Sequence, residues 1–213
     1  MSSFSPGERR LKIRVKYVVA RLQHALIEAA LLHNMPASTD EGTNHEPNEM
    51  LVQTRDEAPE DANAIRDVNR RAFGQDEESN IVDAIRSNQA ILLSLVAMLD
   101  GQVVGHILYS PASIGNATGA ALGPVAVVPE YQRQGIGSKL IEAGNRKLKD
   151  QGCPFIIVLG HPTYYPRFGF KPAAASGIQC QWKVPDDVFM LLILDENKMA
   201  GVTGLARYRP EFG

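Results

Sequence analysis

Residues 125–138 have the sequence VAVVPEYQRQGIGS, an apolar run that meets a proline and then a turn with two glycines. Pro129 lacks an N–H and ends the run, and Gly135 and Gly137 let the backbone approach a ligand closely. A helix that begins at about Gly135 leaves its first N–H groups without intrahelical acceptors. These donors and the positive end of the helix dipole favour a phosphate-like anion. The sequence therefore predicts an anion site at this turn.

Two well-known phosphate-binding motifs do not fit the turn. The dinucleotide-binding motif G-x-G-x-x-G fails because Leu140 stands where its third glycine is needed. The Walker A loop, G-x-x-x-x-G-K-S/T, fails because Ser138 precedes Lys139 after the last glycine. Arg133 and Lys139 either add positive charge to the site or are solvated, as most exposed basic side chains are.

Around the turn, apolar periodicity predicts alternating strands and helices. The predicted strands are residues 50–55, 91–99, 102–110, 120–128, 155–159, 188–194 and 201–208, and the predicted helices are 58–73, 77–87 and 135–149, with a short helix near Pro166. Asp100-Gly101 predicts a β-hairpin, and residues 111–119, rich in Gly, Asn and Ser, are expected to form a loop. The apolar run 155–159 follows a helix, which predicts a strand parallel to 120–128. The fold class is α+β, a mixed sheet flanked by helices.

The first 49 residues differ from the rest in composition. Residues 1–33 contain six basic and two acidic side chains with helical apolar spacing, whereas residues 34–49 contain four acidic and no basic ones. We predict a basic amphipathic helix followed by a flexible acidic linker, and a functional domain over residues 50–213. The helix is either a targeting, membrane-surface or partner-binding segment, or an extension without a role in the chemistry.

Composition argues against several functional classes. A net charge of -2 does not favour binding to nucleic acid, and the longest apolar runs are too short to span a membrane. Cys153 and Cys180 lie far apart and lack metal-ligand spacing, so we expect no disulfide scaffold, no metal and no reactive thiol. The expected location is the cytoplasm, unless residues 1–33 direct the protein to an organelle.

Two motifs together resemble those of one protein family. Residues 132–137, QRQGIG, match the pattern Q/R-x-x-G-x-G/A, and residues 165–170, YPRFGF, match Y-x-x-x-G-F. In this order, with a predicted helix and strand between them, the motifs resemble those of the GNAT superfamily of N-acetyltransferases, in particular its bacterial-type predicted members. The resemblance covers about residues 50–213.

The resemblance implies a GNAT-like, mostly antiparallel sheet in which one parallel strand pair splays apart to admit acetyl-CoA as co-substrate. Main-chain groups of three residues would bind the pantetheine arm: Val125, Ala126 and Val127. Six residues would surround the pyrophosphate: Arg133, Gln134, Gly135, Ile136, Gly137 and Ser138. The implied reaction is direct transfer of the acetyl group to a primary amine in a ternary complex.

Tyr165 matches the tyrosine of the family that protonates the departing thiolate, and the N–H of Val127 matches its oxyanion donor. Tyr165 could instead be an aromatic residue that packs under the pyrophosphate helix, and Tyr164 is the neighbouring candidate for the acid. In a helical turn the two side chains point in different directions, so only one of them reaches the sulfur.

The general base has no clear candidate. His161, after the strand at 155–159, has a suitable reference pKa of about 6.5, but it could also cap a turn, and water could carry the proton instead. His106 lies inside a predicted strand and is expected to be packed or on the surface. Trp182 either lines the acceptor pocket or belongs to the core.

The acceptor itself is left open as a small-molecule or protein amine, because no motif in the sequence specifies it. Apolar C-terminal strands could support a homodimer. A non-catalytic module that binds acyl-CoA is the alternative function, because fold does not fix function.

Overall fold

The computed structural model describes residues 51–213, so the predicted amphipathic helix and acidic linker lie outside the described residues. The strands are β1 Gln53–Asp56, β2 Leu93–Leu99, β3 Gln102–Ile114, β4 Ala117–Val127, β5 Phe155–Leu159, β6 Lys171–Pro172, β7 Ile178–Cys180, β8 Phe189–Ile193 and β9 Gly204–Arg207. The helices are α1 Ala62–Phe73, α2 Glu77–Ser87, α3 Ile136–Asp150 and α4 Glu196–Met199, joined by short 3₁₀ turns that include Tyr165–Phe168.

The strands form one mixed sheet in the order β1-β2-β3-β4-β5-β8-β6, and β9 pairs with both β3 and β7. Most neighbours are antiparallel, whereas β4 and β5 run parallel, as do β7 and β9. The predicted mixed sheet with flanking helices is confirmed. Phe189, Met190 and Leu191 of β8 are buried within this sheet, and the homodimer stays a prediction.

Two predictions about turns had different outcomes. Asp100 and Gly101 have φ angles of 48° and 76° and join β2 to β3 in a tight hairpin, as predicted. The loop expected at residues 111–119 is wrong, because β3 continues to Ile114 and β4 begins at Ala117. Gly119 serves close packing instead of flexibility, since a Cβ there would lie 2.6 Å from the carbonyl oxygen of Phe155.

The parallel pair β4–β5 separates partway along its length. Its register includes Ala120 opposite Ile156 and ends where Leu122 lies opposite Val158. Beyond this, Gly123-Pro124 lies at a register shift between β3 and β4, and a bulge of this kind bends a strand. Pro124 also has no N–H with which to continue pairing. From there β4 remains paired with β3 alone, which opens a gap between β4 and β5.

The helices lie on opposite faces of the sheet. A Cβ on Gly105 of β3 would lie 3.1 Å from Leu140 of α3, whereas the next residue, His106, hydrogen-bonds Asn69 of α1. Because consecutive strand residues point to opposite faces, α3 covers one face and α1 the other, where α2 packs beside it. The gap therefore has an α3 face and an α1 face. No helix within residues 51–213 is long and apolar enough to cross a membrane.

Candidate active site

The turn before α3 has the backbone geometry expected of the predicted anion site. Gly135 occupies the N-cap position with a φ of 82°, a left-handed conformation that glycine adopts without strain, and the cap makes no side-chain hydrogen bond. The N–H of Lys139 is bonded to the carbonyl of Gly135 at 3.0 Å. Helix geometry leaves the N–H groups of Ile136, Gly137 and Ser138 without intrahelical acceptors. An uncapped helix N-terminus of this kind is suited to a phosphate.

The residues before Gly135 hold this turn in place. The side-chain amide of Gln132 donates to the carbonyl of Val127 at 2.9 Å, which ties the turn to β4. The side-chain amide of Gln134 donates to the backbone carbonyl of Glu130 at 3.1 Å, and Arg71 of α1 pairs with the Glu130 carboxylate at 2.6 Å. The sequence motif therefore includes structural residues as well as donors, a role that the spacing alone did not show.

Arg133 adopts a φ of 61°, which is unusual for a residue other than glycine. Its side chain is exposed, as is that of Lys139. A left-handed conformation costs an L-residue about 1–2 kcal/mol. Such backbone strain is found preferentially at functional sites. Arg133 therefore lies in the turn before α3 with an exposed side chain, and its binding of a phosphate stays a prediction.

The backbone of Val127 faces the gap. Val127 lies opposite Gly105 in the β3–β4 register, and the N–H of Val128 donates to the carbonyl of Val104 at 3.0 Å. This bond marks Val127 and Gly105 as a pair that does not exchange its own hydrogen bonds, so their N–H and C=O groups point away from each other. The N–H of Val127 therefore points toward the gap, and its carbonyl already accepts from Gln132.

The backbone groups of Val125 and Ala126, the other two predicted contacts on β4, point in different directions because hydrogen-bonded and non-hydrogen-bonded pairs alternate along the strand. Val125 lies two residues from Val127 and also presents its backbone groups to the gap. Ala126 lies opposite His106, and this pair exchanges hydrogen bonds within the sheet. Val125 and Val127 are thus oriented toward a ligand in the gap, and the backbone of Ala126 is occupied by β3.

Tyr165 packs at the end of β5 on the α3 face. A Cβ on Gly160 would lie 2.0 Å from the Tyr165 ring, so only glycine leaves room for this ring position. The ring also makes an edge contact with Phe170, with centroids 5.6 Å apart. Burial, with a smaller contribution from Tyr164, raises the pKa of the Tyr165 hydroxyl above its usual value of 10. Tyr165 thus both packs against the core and keeps a proton to donate.

Tyr164 points elsewhere. Its ring is nearly perpendicular to that of Tyr165, at 87°, with centroids 5.3 Å apart. Its hydroxyl lies next to the first turn of α3, 3.1 Å from the position of a Cβ on Gly137. Tyr164 therefore belongs to the wall of the anion site, whereas Tyr165 belongs to the end of β5.

His161 follows β5, as predicted, and is half-buried. Its carbonyl accepts from the N–H groups of Tyr164 and Tyr165, at 3.0 and 3.3 Å, so the backbone of His161 closes this turn. Desolvation lowers the pKa of its imidazole below the usual 6.5. The ring is therefore neutral at pH 7 and able to accept a proton.

His106 lies away from these groups in a buried polar chain. Its Nδ1 accepts from the Asn69 amide at 3.0 Å, so its Nε2 carries the proton and donates to Ser94 at 3.1 Å. Ser94 in turn donates to the carboxylate of Glu57, which pairs with Arg86. Burial lowers the pKa of His106 to about 3. His106 is thus a packed core residue, one of the two roles expected for it.

Trp182 lines a cavity of about 250 Å³, together with Phe189, Lys183, Asp186 and residues of β7. Its ring also stacks on Tyr208, with centroids 4.9 Å apart, so it is both pocket-lining and packed. Phe189 pairs with Leu159 where β5 meets the gap, and both side chains belong to the cluster that includes Ala112. The cavity therefore reaches the end of β5.

The two cysteines make no disulfide, and burial raises the pKa of both thiols. Raised pKa values disfavour the reactive thiolate. Within residues 51–213, no three His, Cys, Asp or Glu side chains are grouped closely enough to hold a metal ion.

The structure thus combines a parted parallel strand pair with an uncapped helix N-terminus in one mixed sheet. Residues 91–172 match the family model described as "Acetyltransferase (GNAT) domain". The chain is 34% identical over 166 residues to the "Uncharacterized N-acetyltransferase YhbS" of Escherichia coli (strain K12), spanning 76% of this chain and 98% of the relative. It is 40% identical over 134 residues to "Uncharacterized N-acetyltransferase YjhQ" of the same organism, spanning 60% and 74%.

Two solved structures are similar to the whole domain. The crystal structure of YhbS from Escherichia coli in complex with CoA has a TM-score of 0.74 and 32% identity, covering 83% of this chain and 96% of that one. A GNAT family acetyltransferase from Brucella melitensis in complex with acetyl-CoA has a TM-score of 0.64 and 37% identity, covering 77% and 99%. The chain belongs to the GNAT family of N-acetyltransferases.

Proposed function

We propose that this protein is an acetyl-CoA-dependent N-acetyltransferase that acetylates a primary amine by direct attack in a ternary complex. The observation that carries the proposal is the row of open N–H donors at the start of α3, beside the gap between β4 and β5. The two similar structures bound to CoA and acetyl-CoA support it.

In this proposal the pyrophosphate of CoA lies on the turn before α3. The N–H groups of Ile136, Gly137 and Ser138 donate to it, Gly135 permits its close approach, and Gln134 and Arg133 border it. The pantetheine arm runs along the gap and pairs with the backbone of Val125 and Val127 like an added strand. The backbone groups of Ala126 are hydrogen-bonded to β3, so Ala126 donates no hydrogen bond to the arm.

The chemical step needs a neutral amine, an oxyanion donor and an acid. The amine nitrogen attacks the thioester carbonyl carbon, a C–N bond forms, and the resulting oxyanion accepts from the N–H of Val127. The nitrogen loses its proton to His161 or, through water, to solvent. The C–S bond then breaks, and the thiolate takes the proton of the Tyr165 hydroxyl to leave as CoA thiol.

The protonation states of both side chains suit these roles at neutral pH. Because the pKa of Tyr165 is raised, its hydroxyl retains the proton that the thiolate requires. Because the pKa of His161 is lowered, its imidazole is unprotonated and can accept. The shifts share one physical cause, which is that burial disfavours the charged form of each group.

We place the amine acceptor, a small molecule or an exposed protein amine, in the cavity lined by Trp182 and Phe189. The cavity reaches the end of β5 through Phe189, whereas Tyr165 and α3 occupy the other face of the sheet there. The two substrates would then enter from opposite faces and meet at the gap, which fits direct transfer.

A thiol-release assay tests the proposal. Acetyl-CoA is supplied with a library of small amines and peptides, and CoA thiol is measured for the wild-type chain and for Tyr165→Phe. We expect release with at least one acceptor class, and loss of that release in the variant. Binding of CoA by calorimetry without release for any amine would contradict catalysis and favour an acyl-CoA-binding module.

A further inference from the structure

Arg167 is an exposed arginine that the two sequence motifs did not single out. It lies in the turn Tyr165–Phe168, and its guanidinium Cζ stacks 4.3 Å from the ring centre of Tyr164 and 5.3 Å from that of Phe168. Its Nε also donates to the carbonyl of Tyr164 at 3.2 Å. Two rings and one hydrogen bond therefore fix the orientation of this side chain before any ligand binds.

The fixed guanidinium points toward the start of α3. Its Nη2 lies 3.5 Å from the hydroxyl oxygen of Ser138, the third residue of the helix. The hydroxyl of Tyr164, on which Arg167 stacks, lies beside Gly137 in the same turn. Arg167 thus borders the N–H groups that α3 leaves open.

Arg167 differs from most arginines in the described part of the chain, because it is held by rings instead of by a carboxylate. Six arginines there form ion pairs with Asp or Glu: Arg55, Arg66, Arg70, Arg71, Arg86 and Arg209. Arg167 makes no ion pair within residues 51–213, and its Nη2 group faces the α3 turn. A guanidinium presents a planar fork of donors that matches two oxygens of a phosphate.

We propose that Arg167 is a cofactor-binding residue whose guanidinium binds the pyrophosphate of CoA beside the backbone donors of α3. This inference rests on the proposed function and adds to it a side chain that neither motif assigned to binding. Because stacking on Tyr164 orients the fork in advance, little side-chain entropy is lost on binding. Arg133, whose side chain makes no such contacts within residues 51–213, contributes less.

The test compares CoA affinity by calorimetry for the full wild-type chain, Arg167→Gln, Arg167→Lys and the control Arg146→Gln. Arg146 is exposed on α3, away from its first turn. We expect Arg167→Gln to weaken CoA binding about tenfold, since it removes a charged hydrogen bond. Arg167→Lys keeps the charge without the fork and should weaken binding about threefold. Arg146→Gln should bind as wild type does, and thermal melting checks that every variant is folded.

One further probe, dephospho-CoA, identifies the phosphate that Arg167 contacts. Dephospho-CoA lacks the ribose 3′-phosphate and keeps the pyrophosphate, so Arg167→Gln should weaken it by the same factor as CoA. A loss confined to CoA would overturn the assignment in favour of the 3′-phosphate. Unchanged CoA affinity in a folded Arg167→Gln chain would overturn the inference while leaving the proposed function intact. Absence of CoA binding by the wild-type chain would overturn the proposed function, and this inference with it.

Discussion

The two faces of the β4–β5 gap are built from different parts of the chain. On the α3 face the site is mostly backbone: the open N–H groups of Ile136, Gly137 and Ser138 at the start of α3, beside the gap-facing backbone groups of β4. On the other face the cavity is lined by side chains such as Trp182 and Phe189, contributed by β7, β8 and the loop between them. We propose that backbone geometry holds the cofactor on the α3 face and that side chains on the other face select the acceptor.

The largest predicted effect concerns Tyr165, which lies on the α3 face at the end of β5. Removing its hydroxyl in Tyr165→Phe should lower kcat about 100-fold, because general acid catalysis contributes at least that much. CoA affinity should stay unchanged, because the ring keeps its packing against Gly160 and Phe170. Steady-state kinetics and calorimetry on the same preparation measure both quantities.

Tyr164→Phe is the matched control for that change. It removes a neighbouring hydroxyl that points toward Gly137, so kcat should change less than about threefold. If Tyr164→Phe abolished turnover and Tyr165→Phe did not, the roles assigned to the two tyrosines would be reversed.

A second prediction targets the backbone character of the α3 face through Gly135. Gly135→Ala adds a Cβ where φ is 82° and no atom lies within 4 Å, so its effect is backbone strain alone. Strain of about 1–2 kcal/mol that reshapes the turn should weaken CoA binding about tenfold. Calorimetric titration with CoA measures the loss.

Gly101→Ala supplies the matched control. Gly101 has a φ of 76° and lies in the β2–β3 hairpin, and a Cβ added there would also have no atom within 4 Å. Gly101→Ala should lower the melting temperature about as much as Gly135→Ala does. It should leave CoA affinity unaltered. Equal losses of CoA affinity in both variants would mean that general destabilisation, and not the anion turn, explains the result.

A third prediction addresses the side-chain face. Trp182→Ala removes an aromatic wall of the cavity, and loss of such a contact, about 1 kcal/mol, should raise the KM for the amine about fivefold. The KM for acetyl-CoA should not change, because its site lies on the other face. If the substitution raised the acetyl-CoA KM and spared the acceptor, the assignment of faces would be wrong.

The smallest predicted effect concerns His161 and is clearest in a pH profile. Because the pKa of His161 is lowered, protonation of its ring should add an acidic limb below pH 6.5 to the wild-type kcat/KM profile, separate from the fall at higher pH that protonation of the amine substrate causes. His161→Gln should lose this acidic limb and, since water can relay the proton, only about threefold of kcat/KM at pH 8. If His161→Gln showed the same fall in kcat/KM at low pH with the same amine, the fall would belong to a group other than His161.

Much of the fold was predictable because it depends on local patterns. Helix periodicity predicted α2 over residues 77–87, and Asp100-Gly101 predicted the hairpin that the structure contains. The loop expected at 111–119 was wrong because glycine has two uses that composition cannot distinguish. Gly119 permits a close approach to Phe155, a contact between residues distant in the chain.

Parts of the candidate site were likewise predictable from local sequence patterns, and other parts were not. The turn before α3 was predictable because its glycines have a fixed spacing, whereas the contacts of Gln132 with Val127, and of Arg167 with Tyr164 and Ser138, arise only in the folded chain. The acceptor cavity had no sequence signal beyond Trp182, because its lining residues are brought together by tertiary packing. A turn that depends on its backbone can be predicted from the sequence. Side-chain groupings that depend on tertiary packing cannot.

Hydrogen–deuterium exchange with and without CoA tests most directly whether backbone amides at the start of α3 hold the cofactor. We predict that peptides covering residues 133–138 gain protection on addition of CoA, while those covering the β2–β3 hairpin at Gly101 do not. Binding of CoA without added protection at residues 133–138 would contradict it.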